Sequence, residues 1–237
     1  MGYHHGDLHT ALLDAAERLL EEGGPDAVSV RKAARQAGVS ASAPYRHFAD
    51  RDALMSALAA RGHRQLQARM QRAMQEAGEN RLLQLRAQGI SYVLMARERP
   101  AMFRTMHTAA WMAPGASPEM DAVLADLSAW TADLAAEAQA AGELSAAELA
   151  PQVLACRALV YGLARMFVDG HAPQLGIEGT EAYAFDIATD AQGNNTAWLA
   201  AGSTLNTVSL ESGKILESWE IKGADAPLRD ITFMTAM

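Results

Sequence analysis

"VRKAARQAGVSASAPYRHF", residues 30–48, sets a short apolar helix pattern, a Gly-Val break, two serines, a proline and an aromatic-basic cluster within nineteen positions. Ser29 caps a first short helix that turns Val30, Ala33, Ala34 and Ala37 inward and leaves Arg31, Lys32 and Arg35 on other faces. Gly38 permits the positive φ of a sharp turn, with Val39 tucked beneath it. Ser40 or Ser42 caps the next helix, and either choice places Pro44 in its first turn, where proline is tolerated. Ala41, Ser42 and Ala43 are small enough for a close approach to a partner, Phe48 anchors the far end, and Tyr45, Arg46 and His47 face outward. Two helices in this relation form a helix-turn-helix, whose second helix offers its leading turn to the DNA major groove and its donors to phosphates. Taken alone, "YRHF" also fits two core aromatics and a solvated basic face. The ordered set from Leu12 to Leu54 is what favours the DNA-facing reading.

Composition bounds the rest. A chain of 237 residues, half of them hydrophobic, holds one large domain or two small ones around a substantial core. No apolar run approaches the roughly 18 residues of a membrane span. The first residues also lack the charged and apolar regions of a signal peptide, so the expectation is a cytoplasmic protein with no membrane partner. The single cysteine, Cys156, excludes an internal disulfide and a four-cysteine zinc site, and reads as a small buried hydrophobe. A net charge of -8 argues against a nucleic-acid partner until it is divided along the chain. Residues 1–64 carry 8 Lys and Arg against 8 Asp and Glu, residues 65–180 carry 9 against 12, and residues 181–237 carry 3 against 8. The acidity lies away from the opening stretch, and a neutral head with its bases on one face still meets a phosphate backbone.

The chain is written in two compositions. Up to about residue 180 it is rich in Ala, Leu, Arg and Met with helical periodicity; beyond 183, Thr, Asn, Ser and Gly separate short alternating runs typical of strands and turns. A boundary is expected near 180–190. Leu12, Ala15 and Leu19 share a stripe of a first helix closed by Gly23-Gly24-Pro25. Asp50 caps a long helix toward Gly78, and Asn80 caps another in which Leu83, Ala87, Ile90 and Leu94 share a face up to Pro100. Ser117-Pro118 opens a helix aligning Val123, Leu127, Trp130 and Leu134. Ser145 and Glu148 have capping-box spacing before a helix carrying Val153, Cys156, Val160, Leu163 and Phe167, in which Pro151 should kink the chain or delay the start. About eight helices follow, then strands at 196–201, 205–210, 215–221 and 228–234, with Ser212-Gly213 as a hairpin turn. That tail is similar to one blade of a β-propeller, without a second copy of the repeat.

The stretch "ALLDAAERLLEEGGPDAVSVRKAARQAGVSASAPYRHFADRDALMSAL" resembles the DNA-binding head of the TetR family of bacterial transcriptional regulators. The shared pattern is a helix, a Gly-containing turn, Ser-Val-x-x-x-Ala, Ala-Gly-Val-Ser, and Tyr-x-His-Phe before an acidic helix start. "YHHGDLHTALL" and "ALVYGLARMFVDG" are similar to the subgroup with a WHG-type regulatory domain, with Tyr161 where a His is usual before Gly162. Ala33 stands where Ile is common, and Arg51 follows Asp50 where a Lys is usual.

The resemblance implies a mainly α fold: a three-helix head over 1–50, a helical ligand-binding and dimerisation bundle over 51–180, and here a short antiparallel β meander over 181–237. It implies a homodimer on a pseudo-palindromic double-stranded operator, with half-sites about 34–36 Å apart. Ser29, Tyr45 and His47 fall on backbone-contacting places, with Arg31 or Lys32 near them and Arg46 in the same outward cluster. Ser40, Ala41, Ser42 and Ala43 fall on the groove-facing turn, whose scarcity of bidentate readers leaves specificity to methyl contacts, hydroxyls and DNA shape. In the family the later helices enclose a small-molecule pocket. Tyr92, Met95, Phe103, Met106, His107, Trp111, Trp130, Cys156 and Met166 are its candidate lining, with His107 to orient a largely apolar effector; the alternative for each is ordinary core.

The last helix should form half of a dimerising four-helix bundle. Its usual partner would begin where the tail's composition changes, and only residues 178–188 could continue as helix. His4, His5 and His9 have no acidic or cysteine partner at ligand spacing, so no metal or cofactor is expected. No G-x-S-x-G, P-loop or H-E-x-x-H motif occurs, so an enzyme is not expected. The reading is a ligand-responsive repressor of transcription. Its rival is an interaction, scaffold or fusion protein in which the β tail replaces the dimer helix and DNA binding is impaired.

Overall fold

The structure is a computed structural model and describes residues 5–115, 117–144, 149–171, 183–189, 195–201, 204–209 and 215–220. The chain divides into two compact units, Met1–Gly170 and His171–Met237, a boundary nearer the start of the chain than the 180–190 expected from composition.

The first unit is helical, and local chemistry sets most of its boundaries. Helix α1 (His5–Gly23) buries Leu12, Leu13, Ala15, Ala16 and Leu20, and ends where Gly24 takes a φ of 72° before a 3₁₀ turn over Pro25–Ala27. In α2 (Val30–Gln36) the Ser29 side chain accepts from the Lys32 N–H at 3.2 Å, and Val30, Ala33 and Ala34 are buried. Gly38, at φ 71°, makes the turn.

The α-helix expected after Ser40 or Ser42 is instead one 3₁₀ turn, Ala43–Arg46, with no side-chain cap bond at Ser42. The buried Pro44 offers no N–H, and its carbonyl accepts from both His47 and Phe48 at 2.9 Å. Asp50 then caps the next helix by accepting from the Ala53 N–H at 2.8 Å, so too little chain remains for a longer element.

Helix α3 (Arg51–Glu76) buries Leu54, Met55, Leu58, Leu66 and Met70, and with them the polar Ser56 and His63. Helix α4 (Arg81–Glu98), capped by Asn80, departs from expectation: Gln84, Gln88, Ser91, Val93, Met95 and Ala96 are buried, whereas Leu83, Ala87, Ile90 and Leu94 are half-buried. The polar stripe tolerates burial because its amides are engaged. Gln84 Nε2 donates to Gly78 O at 2.6 Å and Gln88 Nε2 to Met74 Sδ at 3.4 Å. Helices α5 (Pro100–Met106), α6 (Ala109–Met112) and α7 (Pro118–Ala140, capped by Ser117) complete the layer facing α3. In α8 (Leu149–Val168), Pro151 falls within the first turn, where a missing N–H costs no intrahelical bond. The capping box expected at 145–148 lies outside the described residues.

One core joins head and bundle. Leu12, Leu20, Val28 and Phe48 belong to the same buried cluster as Leu58, Met95, Met102, Met106 and Trp111. Charge reinforces the join. Arg99, at the head of α5, bonds Glu17 and Glu21 of α1 at 2.7 and 2.6 Å and Gln65 of α3 at 2.7 Å, while Arg61 reaches Asp14 and Glu17. A shared, half-buried network of this kind holds more than isolated surface pairs do.

In the second unit, β1 (Tyr183–Thr189), β2 (Asn195–Ala201), β3 (Thr204–Ser209) and β4 (Ile215–Glu220) form an antiparallel meander in sequence order. Residues 183–188, the end of the stretch that could have continued as helix, are strand: Tyr183, Phe185 and Ile187 alternate with Ala184, Asp186 and Ala188, a period of two. The expected strand at 228–234 and the Ser212-Gly213 turn lie outside the described residues.

Candidate nucleic-acid interface and regulatory core

Around the helix-turn-helix, burial sorts the sequence candidates. Arg31, Lys32, Ser40, Ala41, Ser42, Tyr45 and Arg46 are exposed, while Ser29, Ala43 and His47 are half-buried. Tyr45 keeps 47 % of its surface open although it stands between buried Pro44 and core Phe48, so the phenol is presented rather than packed. Ser29 Oγ accepts the cap bond with its lone pair and keeps its hydrogen free for an outside acceptor.

Beneath His47 lies His9 of α1, with ring centroids 5.8 Å apart and the Phe48 ring 4.9 Å from His9. Desolvation and then repulsion from His47 lower the His9 pKa, leaving it a neutral spacer under the turn. His9 therefore has a packing role, set against Phe48 beneath His47.

Arg51 does not point outward. Its Nε donates to Val28 O at 3.0 Å and its Nη2 to Pro25 O at 2.8 Å, which ties the turn before α2 to the start of α3. The guanidinium lies 6.0 Å from the Trp111 ring, and Trp111 Nε1 donates to Asp52 Oδ1 at 3.4 Å. Helix α6 is therefore attached to the two residues that follow the N-cap of α3.

The core candidates separate into those that meet and those that do not. Met95, Met106 and Trp111 share the main cluster, with Tyr92 and Trp130 packed against it, and Phe103 lies in a second cluster that Tyr92 also touches. Cys156, expected to be buried, is exposed on α8, and so is Met166. The reason is that, among its described residues, α8 fully buries only Ala164 and Val168, packs Val160, Leu163 and Phe167 in part, and leaves Leu154, Tyr161 and Met166 outside.

His107 is the hub of an aromatic group, stacked on Phe103 at 4.2 Å and near the rings of Tyr92, His63 and Tyr161. Its Nδ1 lies 2.8 Å from Phe103 O, so Nδ1 carries the proton and Nε2 accepts from the Tyr92 hydroxyl at 2.7 Å. Burial lowers the His107 pKa and raises that of Tyr92, which keeps both neutral. Both nitrogens of His107 are thus engaged within the chain.

The residue sequence reasoning passed over is His63. Its Nε2 donates to Met106 O at 3.1 Å, it is 3 % exposed, and burial presses its pKa down to about 4. The available signal was Gly62 in mid-helix, where a Cβ would come within 2.7 Å of Met106 Cγ and 2.8 Å of Met102 Sδ: a glycine marking where α5 crosses. Among the described residues no group of three or more His, Cys, Asp or Glu is placed to hold a metal ion, and no helix is long and apolar enough to cross a membrane.

Comparison with known proteins meets this geometry at the head and extends it through the helical unit. The family model for bacterial regulatory proteins of the tetR family matches residues 12–58. A solved protein of unknown function from Rhodococcus sp. RHA1 is 35 % identical, with 72 % of this chain and 87 % of that one covered and a TM-score of 0.63. A TetR family transcription regulator from Marinobacter aquaeolei VT8 is 23 % identical over 73 % of this chain and 87 % of its own, with a TM-score of 0.52. AibR, solved with isovaleryl coenzyme A and operator DNA, is 16 % identical over 70 % and 97 %, with a TM-score of 0.51. No curated protein matches the chain. A helix-turn-helix with its polar turn outward, joined by one core to a helical bundle, and these likenesses lead to one statement: the chain belongs to the TetR family of DNA-binding transcriptional regulators, a non-enzymatic class.

Proposed function

We propose that this regulator is a repressor that holds a pseudo-palindromic operator as a homodimer and releases it when a small, mainly apolar molecule enters the helical core. The observation that carries the reading is the single core running from Phe48 under the DNA-facing turn to Met106 and Trp111 in the bundle. A molecule that displaces Trp111 acts on Asp52 and Arg51, and through Arg51 on the turn at Pro25 and Val28. The effector need only bind one arrangement of the heads better than the other. AibR, alike in fold and solved in complex with both isovaleryl coenzyme A and operator DNA, supports a small-molecule site and a DNA site in one chain.

The homodimer is supported by α8, where Leu154 is 69 % exposed and Tyr161 42 %. A second reading rests on β1: Tyr183–Thr189 is strand in the part of the chain where the second helix of the family's dimer bundle would run, which favours a weakened dimer and an interaction role for the sheet.

Full-length protein, tested by light scattering and by binding to duplexes from the DNA flanking its own gene at two salt concentrations, separates the two. The repressor is dimeric, with affinity falling steeply with salt at a slope of about -0.9 per neutralised phosphate. A monomer indifferent to DNA and salt overturns it.

A further inference from the structure

The interior of the bundle has spent its named donors. Ser56 Oγ donates to Trp111 O, Thr105 Oγ1 to Ala101 O, the Tyr92 hydroxyl to His107 Nε2, His107 Nδ1–H to Phe103 O and His63 Nε2–H to Met106 O. Beside them stands a buried acceptor. His63 Nδ1 is buried and has no hydrogen-bond partner, and with Nε2 protonated it carries a lone pair. A buried polar atom left so is costly, and native interiors rarely keep one without a use.

The surroundings can yield. Met55, Met70, Met95, Met102 and Met106 are all buried in the cluster that packs around α3 and α5, and unbranched thioethers refill space around an incoming group more readily than branched side chains do.

We propose that His63 Nδ1 reads the effector, accepting a hydrogen bond from a hydroxyl or amide N–H of an uncharged, mainly apolar molecule seated among these methionines. The proposal rests on the ligand-responsive reading above and narrows it. A carboxylate has no proton to offer and would meet a lone pair in a dry interior, and a phosphate would bring uncompensated charge there. His63 does not become a cation to receive an anion, because desolvation holds it neutral down to about pH 4. The ring of His107, 5.8 Å away, has both nitrogens engaged and offers no donor either.

Phenol, anisole and benzoate have similar bulk and differ in what they present: a donor, a methyl-blocked oxygen and an anion. Their binding to the full chain is measured by calorimetry and thermal shift, with the ¹⁵N resonance of His63 Nδ1 followed by NMR. Phenol is expected to bind about tenfold tighter than anisole, equivalent to about 1.4 kcal/mol, to exceed benzoate by more, and to move the Nδ1 resonance toward its hydrogen-bonded position. His63→Leu should bind phenol and anisole alike; His63→Asn, whose amide oxygen can stand near the place of Nδ1, should recover part of the preference and keeps the test intact if the leucine variant fails to fold.

Anisole or benzoate binding as well as phenol, or an Nδ1 resonance unmoved by bound phenol, overturns the donor requirement and leaves a small-molecule site standing. Failure of all three to bind, with DNA binding intact, overturns both.

Discussion

The outer turn around Tyr45 and the interior around His107 are made of similar groups, phenols, imidazoles and hydroxyls, and use them in opposite ways. Outside, Arg31, Lys32, Arg35, Tyr45 and Arg46 are exposed, and among the described residues no hydrogen bond or ion pair engages their side chains. Inside, Tyr92, His107, Ser56 and Thr105 are each tied to a partner within the chain. Exposed donors of this kind suit the phosphate contacts proposed for this turn, because water holds them cheaply until a partner arrives. An interior cannot wait on those terms, since an unmet polar group there costs about 1–3 kcal/mol. Substitutions inside should therefore be read in stability, and substitutions outside in DNA binding.

The largest expected effect is inside. Phe103 is fully buried, stacked on His107 and edge-on to Tyr92 at 5.2 Å. Phe103→Ala should cost about 3–5 kcal/mol of folding stability by urea denaturation. A loss below about 1 kcal/mol would show that this interior is not the packed core described and would break the contrast at its strongest point.

Acid comes next. His63 is neutral when folded down to about pH 4, against 6.5 for an ordinary histidine, so between these values the unfolded chain binds more protons than the folded one. Stability is full above about pH 6.5 and falls as pH drops toward 4, by about 3 kcal/mol for this residue. The lowered pKa values of His107 and His9 act in the same direction. Urea midpoints measured from pH 7.5 to 4 check this, and His63→Leu should flatten most of the slope. The same slope in that variant would place the burden elsewhere.

Tyr92→Phe removes one hydroxyl and leaves His107 Nε2 without its donor, at an expected cost of about 1–3 kcal/mol. The comparison sharpens if the double variant Tyr92→Phe with His107→Phe recovers part of that loss, since removing both partners leaves nothing unmet.

Sequence disclosed one of these two regions much better than the other. Ser29, Asp50, Asn80 and Ser117 cap their helices as their spacing implies, because a cap joins a side chain to an N–H only three residues on. Gly38 and Val39 were legible for the same reason. The 3₁₀ turn at Ala43–Arg46 was not: it depends on how the carbonyl of Pro44 is shared, a matter of backbone geometry rather than residue type.

The interior was legible in its aromatics and obscure in its polar groups. His63 stands in mid-helix beside Arg64 and looks solvated until α5 is laid across it. Gln84, Gln88 and Ser91 recur at helical spacing like a wet face, and the clue they carry is that none of the three is charged. Cys156 went wrong for the converse reason. An apolar stripe says that something covers it, and not that this chain does.

The smallest effects on stability and the clearest on function belong to the outer turn. Tyr45→Ala and Ser42→Arg lie on exposed positions and should each stay within about 0.5 kcal/mol of the parent in urea. On DNA they should diverge. If Tyr45 offers one neutral hydroxyl to the DNA backbone, as the resemblance implies, its loss should weaken every duplex by a similar factor and leave the salt slope unchanged. Ser42→Arg brings a bidentate fork to the leading turn, worth about 1–3 kcal/mol of preference for guanine at one position, together with one more charge and a salt slope steeper by about 1. Binding selection from random duplexes at two salt concentrations separates the outcomes. If Tyr45→Ala changed the selected sequence while Ser42→Arg did not, the groove and the backbone would have exchanged places on this turn, and Tyr45 would be a reader of bases.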